Sequence, residues 1–578
     1  MVTSLLGVAT SQQVGYTHGE QHPGITLKHC TLEEGCRLEQ QEVTLDAQWR
    51  WLHDGQENNY HSCYQGDTWE PLHCLDPEKC ATECMMEGVS LEDYDKTYGV
   101  TGIAGGLRLS YVSAGSYGSR LYVLDGGNQY KMWKLKNREF TFDVDVSSLT
   151  CGLNGALYFV EMRADGGYGQ GDNKVGASFG SGYCDAQCPH DLKFIEGEAN
   201  VLNWHVEKVG PVGKYGYCCA ELDIWEANRE STAYTAHPCT IDGQEKCFGE
   251  RCGDTPDLCD CCEQDFCPCC MRYRGVCDKD GCDFNPFRMG GKTFYGFGPE
   301  FGVDTSKPIT VVTQFLTTDG TDEGDLSEIR RLYVQDGKVI NNSISSVTFD
   351  KADSIKDDFC QDQKVIFNNT DHFAKNGGLK RMGEAMDRGL VLVLSLWDDP
   401  LSQMDWLDAA VGDGKLDVNR PGVLRGRCPQ DSGDPQVLRK SRRNAYVTFG
   451  NISYGEISAT FGPNAQRIIY PALASLPILL IATSGFAFAT VLFLWVAICR
   501  RERVLQTGNG SRNLPDSEDG KPLVLKNADG SSEAKERHPM AREAILVSAG
   551  GYQRSQDLGA WPSFRRRFMS LLGGRADK

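Results

Sequence analysis

The sequence predicts an all-β domain that is followed, towards the carboxyl end, by one membrane-spanning segment and a tail. Short runs rich in β-branched and aromatic residues recur between clusters of glycine, asparagine and aspartate, and glycine totals 64 of 578 residues. Of the 25 cysteines, 24 lie between Cys30 and Cys428, which indicates an oxidising compartment. One long stretch without charge, 468–499, separates this part from a tail without cysteine beyond Cys499.

The predicted strands are short and separated by turn residues, as in a sandwich or barrel of antiparallel strands. In one of them Phe140, Phe142, Val144 and Val146 project from the same face, because side chains alternate along a strand. The predicted strands are Leu107–Val112, Arg120–Leu124, Glu139–Val146, Ala156–Glu161, Ile309–Phe315, Arg331–Val334, Leu390–Leu396 and Ala445–Phe449.

Composition and charge exclude several classes of protein. With 40% apolar and 24% charged residues, the chain as a whole is neither collagen-like, nor disordered, nor a polytopic membrane protein. A net charge of −20 argues against nucleic acid as a partner, because a nucleic-acid binder needs a basic surface. These values suit an enzyme that acts on a neutral or cationic partner.

The stretch 468–499 is predicted to span a membrane. Its densest part, Leu473–Ile498, is long enough to cross a hydrocarbon layer of about 30 Å as a helix, and a buried core helix is the alternative. Arg500, Arg501 and Arg503 follow it at once, so the positive-inside rule predicts a cytoplasmic tail, 500–578, which we expect to be largely disordered. The amino-terminal part is then extracellular or luminal, at the plasma membrane or an endomembrane.

An exported domain needs a signal, and residues 1–11 supply at most a remnant of one. The first nine residues, MVTSLLGVA, have no basic region and only a short apolar stretch, so a simple disordered terminus is the alternative. Glycosylation acceptors occur at Asn341, Asn368 and Asn451, all on the predicted outer side.

Three carboxylates lie close together in CCAELDIWEAN, residues 218–228. In a strand Glu221 and Asp223 project from one face, whereas Glu226 falls on the other unless a β-bulge between them adds one residue. Two carboxyl groups on one face, about 5–5.5 Å apart, are the arrangement of a retaining glycosidase. Taken alone, the three acids also fit a polar strand face or a calcium site.

The same segment, with AYTAHPC at 233–239, resembles glycoside hydrolase family 7, and the resemblance runs from Gln12 to Phe461. It implies a domain over 12–463 with a concanavalin-like β-jelly-roll sandwich and long loops. It also implies a retaining β-1,4-glucanase that hydrolyses cellulose or a related glucan without a cofactor or a metal. Further matching segments are DAQWRW (46–51), CGLNGALYFVEM (151–162), GYCDAQCPHDLKFI (182–195), CDKDGCDFNPFR (277–288) and LSLWDDPLSQMDWLD (394–408).

The resemblance assigns catalytic roles to four residues. It implies Glu221 as the nucleophile, Glu226 as the acid/base and Asp223 as a residue that assists the nucleophile. His237 stands where the family has a histidine close to the catalytic centre, and a structural histidine beside Pro238 and a disulfide is the alternative.

The resemblance also implies substrate-binding residues. Flat apolar faces of a β-linked glucan stack on aromatic rings, and Trp49, Trp51, Trp397 and Trp406 match family platforms. Trp49 and Trp51 are expected to face one way from a single strand, although any one tryptophan could instead be a core residue. Polar and charged contacts, each of which could instead pair with a buried acid, are expected from Asn154, Tyr158, Asp185, Gln187, Arg272, Asp280, Arg288 and Arg425.

Eighteen cysteines match family positions, which implies nine disulfides. The implied pairs are Cys30–Cys36, Cys63–Cys84, Cys74–Cys80, Cys151–Cys428, Cys184–Cys219, Cys188–Cys218, Cys239–Cys277, Cys247–Cys252 and Cys282–Cys360. Six more cysteines lie in an insertion, Cys259–Cys270, that departs from the family pattern. There, three local disulfides are favoured over a metal cluster.

Loop lengths favour the cellobiohydrolase form, in which long loops enclose the glucan chain. The stretches Asn58–Trp69, Phe248–Arg274 and Val411–Arg425 have the length of tunnel-forming loops, while Trp204–Tyr217 is slightly short. An endoglucanase with an open cleft is the first alternative. A non-catalytic cell-surface glucan receptor is the second, and the protein is expected to be a monomer.

Overall fold

The computed structural model describes residues 12–462, apart from 57–59, 115, 171–172, 208–209, 255–270 and 413–415, together with 468–469. The predicted signal remnant, the Cys259–Cys270 insertion, the tail and nearly all of the predicted membrane segment lie outside these residues. The first two residues of that segment, Ile468–Ile469, pair with Cys36 and Arg37 as a short parallel strand. Among the described residues, no helix has the length and apolarity needed to cross a membrane.

Twelve strands of five or more residues form the body of one large sheet. In chain order, β1 to β12 are Gly24–Thr31, Gly35–Leu45, Gly106–Ser110, Ser119–Leu124, Arg138–Asp145, Leu153–Val160, Glu221–Ala227, Thr232–His237, Ile309–Thr317, Leu326–Gln335, Leu390–Asp398 and Tyr446–Gly455. Each of the eight strands expected from the sequence overlaps one of them. Shorter strands of the same sheet are Val100–Ile103, Met132–Trp133, Cys282–Phe284, Lys338–Asn341, Ser354–Ile355 and Ile468–Ile469.

Paired segments outside this sheet shape the loops. Gln13–Val14, Leu52–His53 and Met85–Met86 form a three-stranded patch. Two-stranded pairs are Tyr64–Gln65 with Thr68–Trp69, Val112–Ser113 with Ser116–Tyr117, Phe194–Ile195 with Glu198–Ala199, His205–Glu207 with Gly210–Val212, Gly216–Cys218 with Glu245–Cys247, and Tyr295–Gly296 with Val303–Asp304.

The large sheet folds over on itself into two layers. Hydrogen-bonded neighbours follow the order β10, β9, β5, β12, β1, β2, β4, β11, β6, β7 and β8. Strand β5 lies over β6 and β7 across the core, since the rings of Phe140 and Phe159 are 5.2 Å apart and those of Phe142 and Trp225 are 6.0 Å apart. The fold is therefore a mostly-β sandwich, and β6, β7 and β8 turn their other face towards the loops.

No helix was expected within the domain, but among the described residues seven helices cover parts of the sandwich. Helix α3 begins with Asp357 and Asp358, which complement the helix dipole, and buries Phe359 and Phe367 on one face. The helices α1 to α7 are Pro77–Glu83, Leu91–Lys96, Asp357–Phe367, His372–Lys375, Gly378–Arg388, Asp405–Asp408 and Pro435–Ser441.

All nine implied disulfides are present with the expected partners. The longest, Cys151–Cys428, joins residues 277 positions apart and ties the start of β6 to the segment before α7. Two others, Cys184–Cys219 and Cys188–Cys218, tie the loop 184–188 to the residues directly before β7. These two bridges position the loop that lies against the candidate active site.

Candidate active site

Strand β7 carries the three acids, and a β-bulge brings them to one face. Between Asp223 and Glu226 the strand advances three residues while its partner β8 advances only two, and the pairing with β6 shifts at the same point. Leu222, Ile224, Trp225 and Ala227 all pack in the main core, so two successive side chains point inward. The bulge that the sequence required is confirmed, and Glu226 returns to the face of Glu221 and Asp223.

Glu221 faces the loop that the two disulfides hold. The backbone N–H of Ala186 donates a hydrogen bond of 3.0 Å to Glu221 Oε2. Only 8% of Glu221 is exposed. Burial and the charges of Asp223 and Asp185 raise the pKa of Glu221 well above its usual value, against the effect of the Ala186 hydrogen bond.

Asp223 is paired with His237, which lies at the end of the neighbouring strand β8. Nδ1 of His237 donates to the carbonyl oxygen of Asp278 over 2.7 Å, because a carbonyl oxygen can only accept. Nε2 of His237 lies 3.1 Å from Asp223 Oδ2. Burial disfavours the imidazolium, but the hydrogen bond to Asp223 and its charge outweigh burial and raise the pKa of His237. His237 is thus held between Asp278 and Asp223, and its positive form is favoured by Asp223.

Glu226 lies beside the start of strand β6. The side-chain Nδ2 of Asn154 donates a hydrogen bond of 3.0 Å to Glu226 Oε1. Oδ1 of Asn154 accepts a hydrogen bond from the backbone N–H of Ala227. Burial and then the charge of Asp223 raise the pKa of Glu226 well above its usual value. The charge of Asp223 therefore raises the pKa of both Glu221 and Glu226.

An aromatic pair adjoins Glu226. Trp397 on β11 is the register partner of Asn154, and its ring stacks on that of Trp406 with centroids 6.2 Å apart. Nε1 of Trp406 donates to Asp399 Oδ2 over 3.1 Å. Both rings are partly exposed and pack against a small cluster of Met404, Leu407 and Ala233. Ala233 is the β8 partner of Glu226. The two tryptophans therefore lie together at the Glu226 end of the acidic face.

Arg288 and Arg425 meet at one acid that the sequence reasoning missed, Asp283. Arg288 Nη1 donates to Asp283 Oδ1, and Arg425 Nη1 lies 3.7 Å from Asp283 Oδ2. Burial and the neighbouring Arg425 lower the pKa of Arg288 to about 9. The charge of Asp283 also contributes to the raised pKa of Glu226. The signal was available, because Asp283 lies in the matched segment CDKDGCDFNPFR.

Arg272 and Asp280 pair with each other. Arg272 Nε donates to Asp280 Oδ1 over 2.7 Å, and its Nη2 donates to the carbonyl oxygen of Lys279 over 3.2 Å. The same carbonyl accepts from Gln187 Nε2 over 2.8 Å. Burial opposes the charge of Asp280, but Arg272 and Lys364 outweigh it and hold the pKa of Asp280 well below its usual range. Gln187 thereby links this pair to the loop beside Glu221.

Tyr158 and Asp185 are joined through Tyr183. The hydroxyls of Tyr158 and Tyr183 are 2.9 Å apart, and the Tyr183 hydroxyl donates to Asp185 Oδ2 over 2.7 Å. Burial raises the pKa of Asp185 above its usual value, despite the hydrogen bond from Tyr183. The guanidinium of Arg120, another residue that the sequence reasoning missed, lies 3.4 Å from the centre of the Tyr183 ring and 5.5 Å from that of Trp49.

The expectation that Trp49 and Trp51 share a strand was wrong. Ala47–Trp49 is a short 3₁₀ helix that Asp46 caps by accepting from the N–H of Gln48, and Trp51 follows it outside any strand. Trp49 Nε1 donates to the carbonyl oxygen of Gly118 over 3.2 Å. Trp51 Nε1 donates to Ser62 Oγ over 2.9 Å, and its ring contacts His53 and Tyr60. The side-chain cap at Asp46 turns the chain where simple alternation predicts an extended one.

The comparisons with known proteins agree with this geometry. The family model described as Glycosyl hydrolase family 7 matches residues 14–461. A family 7 cellobiohydrolase from Daphnia pulex is 45% identical over 78% of this chain and 100% of its own, with a TM-score of 0.73. A cellobiohydrolase from Melanocarpus albomyces, complexed with cellotetraose, is 36% identical over the same shares, with a TM-score of 0.69.

An endocellulase from Humicola insolens is 34% identical, again over 78% of this chain and 100% of its own, with a TM-score of 0.64. Solved relatives thus include both cellobiohydrolases and endocellulases, and all share the mostly-β, jelly-roll-like fold. The family match spans well over half of the 578 residues. The chain therefore belongs to glycosyl hydrolase family 7 and is a glycoside hydrolase.

Proposed function

We propose that the protein hydrolyses cellulose or a related β-1,4-glucan with retention of configuration, by double displacement. The bulge in β7 carries this proposal, because it brings Glu226 to the same buried face as Glu221 and Asp223. A retaining enzyme needs two carboxyl groups on one side of the scissile bond, one as nucleophile and one as acid and then base.

Glu221 is the nucleophile of the proposed reaction. It attacks the anomeric carbon while Glu226 protonates the leaving glycosidic oxygen, and a glycosyl ester forms on Glu221. Glu226 then takes a proton from water, which attacks the ester and restores Glu221. The N–H of Ala186 steadies the Glu221 carboxylate, and the raised pKa of Glu226 keeps its proton available for the first step.

Asp223 and His237 act as positioning residues in this proposal. Asp223 lies on the same face between the two glutamates and is held by His237, whose other nitrogen is fixed by Asp278. The negative charge of Asp223 raises the pKa of both glutamates. Trp397 and Trp406 offer a stacking surface beyond Glu226, and Arg272, Arg288 and Arg425 offer donors for sugar hydroxyls.

Release of cellobiose from a chain end is the proposed mode of action. Two features support it over random internal cleavage: the long loop segments 58–69, 248–274 and 411–425, and the 45% identity to the Daphnia cellobiohydrolase. We further propose that 473–498 anchors the domain at the plasma membrane or an endomembrane, with the tail cytoplasmic. Asn341, Asn368 and Asn451 are all exposed, which suits glycosylation on the outer side.

Product analysis tests the activity. The full-length chain is incubated with amorphous cellulose, soluble sugars are resolved by chromatography, and Glu221→Gln is the control. Cellobiose as the main product, absent with Glu221→Gln, is the expected result, and the first anomer released should be β. A spread of longer oligosaccharides would indicate the endo form. A folded protein that binds cellulose but releases nothing would favour the receptor.

Protease protection tests the anchor. The chain carries a tag after Lys578, and protease is added outside sealed vesicles of the cell membrane. Protease should remove the tag only from vesicles whose cytoplasmic face is outward. In those vesicles the catalytic domain should stay protected until detergent is added. A protein that leaves the membrane in high salt without detergent would contradict the proposed span.

A further inference from the structure

A second group of ligand-type side chains lies apart from the catalytic acids, on a hairpin next to Trp51. The hairpin has two arms, since Asp54 N–H donates to the carbonyl oxygen of His61 over 3.0 Å and Cys63 N–H donates to that of Leu52 over 2.9 Å. His73 approaches the hairpin from the segment before helix α1. Asp54, His61 and His73 therefore come from three separate points of the chain.

The distances within this group are close to those between ligand atoms of one metal ion. Nδ1 of His61 is 2.9 Å from Asp54 Oδ2, and Nε2 of His73 is 3.6 Å from the same oxygen. All three ligand atoms lie within 4.8 Å of one another. A tetrahedral zinc ion with bonds of about 2.0–2.1 Å separates its ligand atoms by about 3.3–3.4 Å. Changes of a few tenths of an ångström would bring both distances from Asp54 Oδ2 to that separation.

Glu83 sets the orientation of His73. The Nδ1 of His73 lies 3.2 Å from Glu83 Oε2, and donation there leaves the lone pair of Nε2 directed at the Asp54 carboxylate. In this tautomer two acceptors face each other at 3.6 Å, beyond hydrogen-bond range, and a cation between them would bind both. A carboxylate behind a ligating histidine is also the usual outer contact of zinc sites.

The remaining contacts leave Asp54 ready to ligate. Its Oδ1 accepts from the backbone N–H groups of Gln56 and His61, so Oδ2 is directed at the histidines. By contrast, both ring nitrogens of nearby His53 are engaged, by Glu87 at 2.7 Å and by the N–H of Gly55 at 3.1 Å.

We propose that Asp54, His61 and His73 bind one zinc(II) ion, with water as the fourth ligand. Two imidazoles and one carboxylate are a ligand set that zinc accepts, and its place is structural because the catalytic acids lie elsewhere. The ion would fasten the hairpin to the segment before α1. Ser62, which accepts the Trp51 indole N–H, lies on that hairpin, so the ion would also steady Trp51. This inference stands independently of the proposed reaction.

Calorimetry with zinc chloride on the chelator-treated full-length chain tests the proposal. We expect one equivalent of zinc that is lost, or bound at least tenfold more weakly, in His61→Ala and in His73→Ala. His205→Ala is the matched control. The His205 side chain is 56% exposed, against 55% for that of His61, and each histidine contacts a carboxylate. Equal zinc binding by the wild type and both alanine variants would overturn the proposal.

Cobalt(II) substitution and the Glu83→Gln variant separate zinc binding at this site from binding elsewhere and from misfolding. Cobalt(II) at this site should show d–d absorption but no charge-transfer band from thiolate ligands. Both alanine variants should lose this absorption. A cobalt spectrum that neither substitution changes would overturn the proposal. Glu83→Gln, at a half-exposed position, removes only the outer contact and should weaken zinc binding about 10–100-fold. If the alanine variants do not fold, Glu83→Gln decides the question. Zinc binding of wild-type strength in Glu83→Gln would then overturn the proposal.

Discussion

Ile224 and Trp225 are neighbours in strand β7, yet both side chains pack in the same apolar core. A regular strand turns successive side chains to opposite faces, so this pair marks the extra residue of the bulge. The Trp225 ring lies 6.0 Å from that of Phe142 in the opposite layer, which fixes the bulge by packing. The position of Glu226 beside Glu221 thus depends on apolar contacts on the other side of the sheet.

Replacement of Glu226 by glutamine should slow cleavage according to the leaving group. General acid catalysis contributes about 10²–10⁴-fold, so we expect a loss of that size on cellulose. A dinitrophenyl cellobioside, whose leaving group departs without a proton, should form the glycosyl intermediate at nearly the wild-type rate. Stopped-flow release of the phenolate measures this step. An equal loss on both substrates would contradict the acid role of Glu226.

The same substitution should stabilise the fold at neutral pH. Folding raises the pKa of Glu226, so the folded protein favours the neutral side chain. The contribution of Glu226 to stability is fully present below the unfolded pKa of about 4.3, and it is lost as pH rises through the folded pKa. Glutamine carries no charge at any pH. The free energy of unfolding of Glu226→Gln should therefore exceed that of the wild type increasingly above pH 5, by up to about 1.4 kcal/mol for each pH unit.

Urea unfolding at pH 4, 5, 6 and 7 checks this expectation. At pH 4 both proteins carry a neutral side chain at position 226, so their free energies of unfolding should be nearly equal. A constant difference across the four values would show that the substitution acts through packing and would contradict the raised pKa.

Gly281→Ala should disturb His237 directly. A Cβ at Gly281, whose φ is +67°, would lie 2.5 Å from Thr235 Cγ2, 2.6 Å from His237 Cε1 and 2.7 Å from His237 Nδ1. Something must therefore shift, and displacement of the imidazole would disturb its hydrogen bond to Asp278. We expect kcat on cellulose to fall about tenfold and the pH profile to move, since His237 holds Asp223.

Gly105→Ala is the matched control for backbone strain. Its φ is +73°, and no atom lies within 4 Å of the added Cβ. The left-handed backbone should cost each variant about 1–2 kcal/mol of stability. Gly281→Ala should lose more than this because of its close contacts, and only Gly281→Ala should change the pH profile of kcat. Identical kinetics for the two variants would rule out a positioning role for His237.

Sequence reasoning reached the chemistry of the site further than its geometry. The acids of 221–226 and the need for a bulge followed from alternation, and the strands followed from short β-rich runs. Asp283 was missed although it lies in a matched segment, because its pairing with Arg425 appears only in the folded chain. Arg120 was missed because it lies outside the matched segments and its contact with Tyr183 also appears only on folding. The 3₁₀ helix at Trp49 was missed because one side-chain cap at Asp46 overrides local strand propensity.

The Cys188–Cys218 bridge should matter for catalysis as well as for stability. Because Cys184–Cys219 already links the same two segments, this bridge closes only a short additional ring, for which chain entropy predicts about 2 kcal/mol. It also holds the loop whose Ala186 N–H donates to Glu221. Replacement of both cysteines by alanine should lower stability by about that amount and lower kcat at a temperature where the variant is still folded. Cys30–Cys36, with a separation of 6 at the far β1–β2 hairpin, is the control, and its removal should cost about 2 kcal/mol without changing kcat.

Thermal unfolding and initial rates on amorphous cellulose separate the two effects. Unchanged kcat in the folded Cys188→Ala, Cys218→Ala variant would mean that the Ala186 contact does not need the bridge, and that the remaining bridge, Cys184–Cys219, is enough to hold the loop against Glu221.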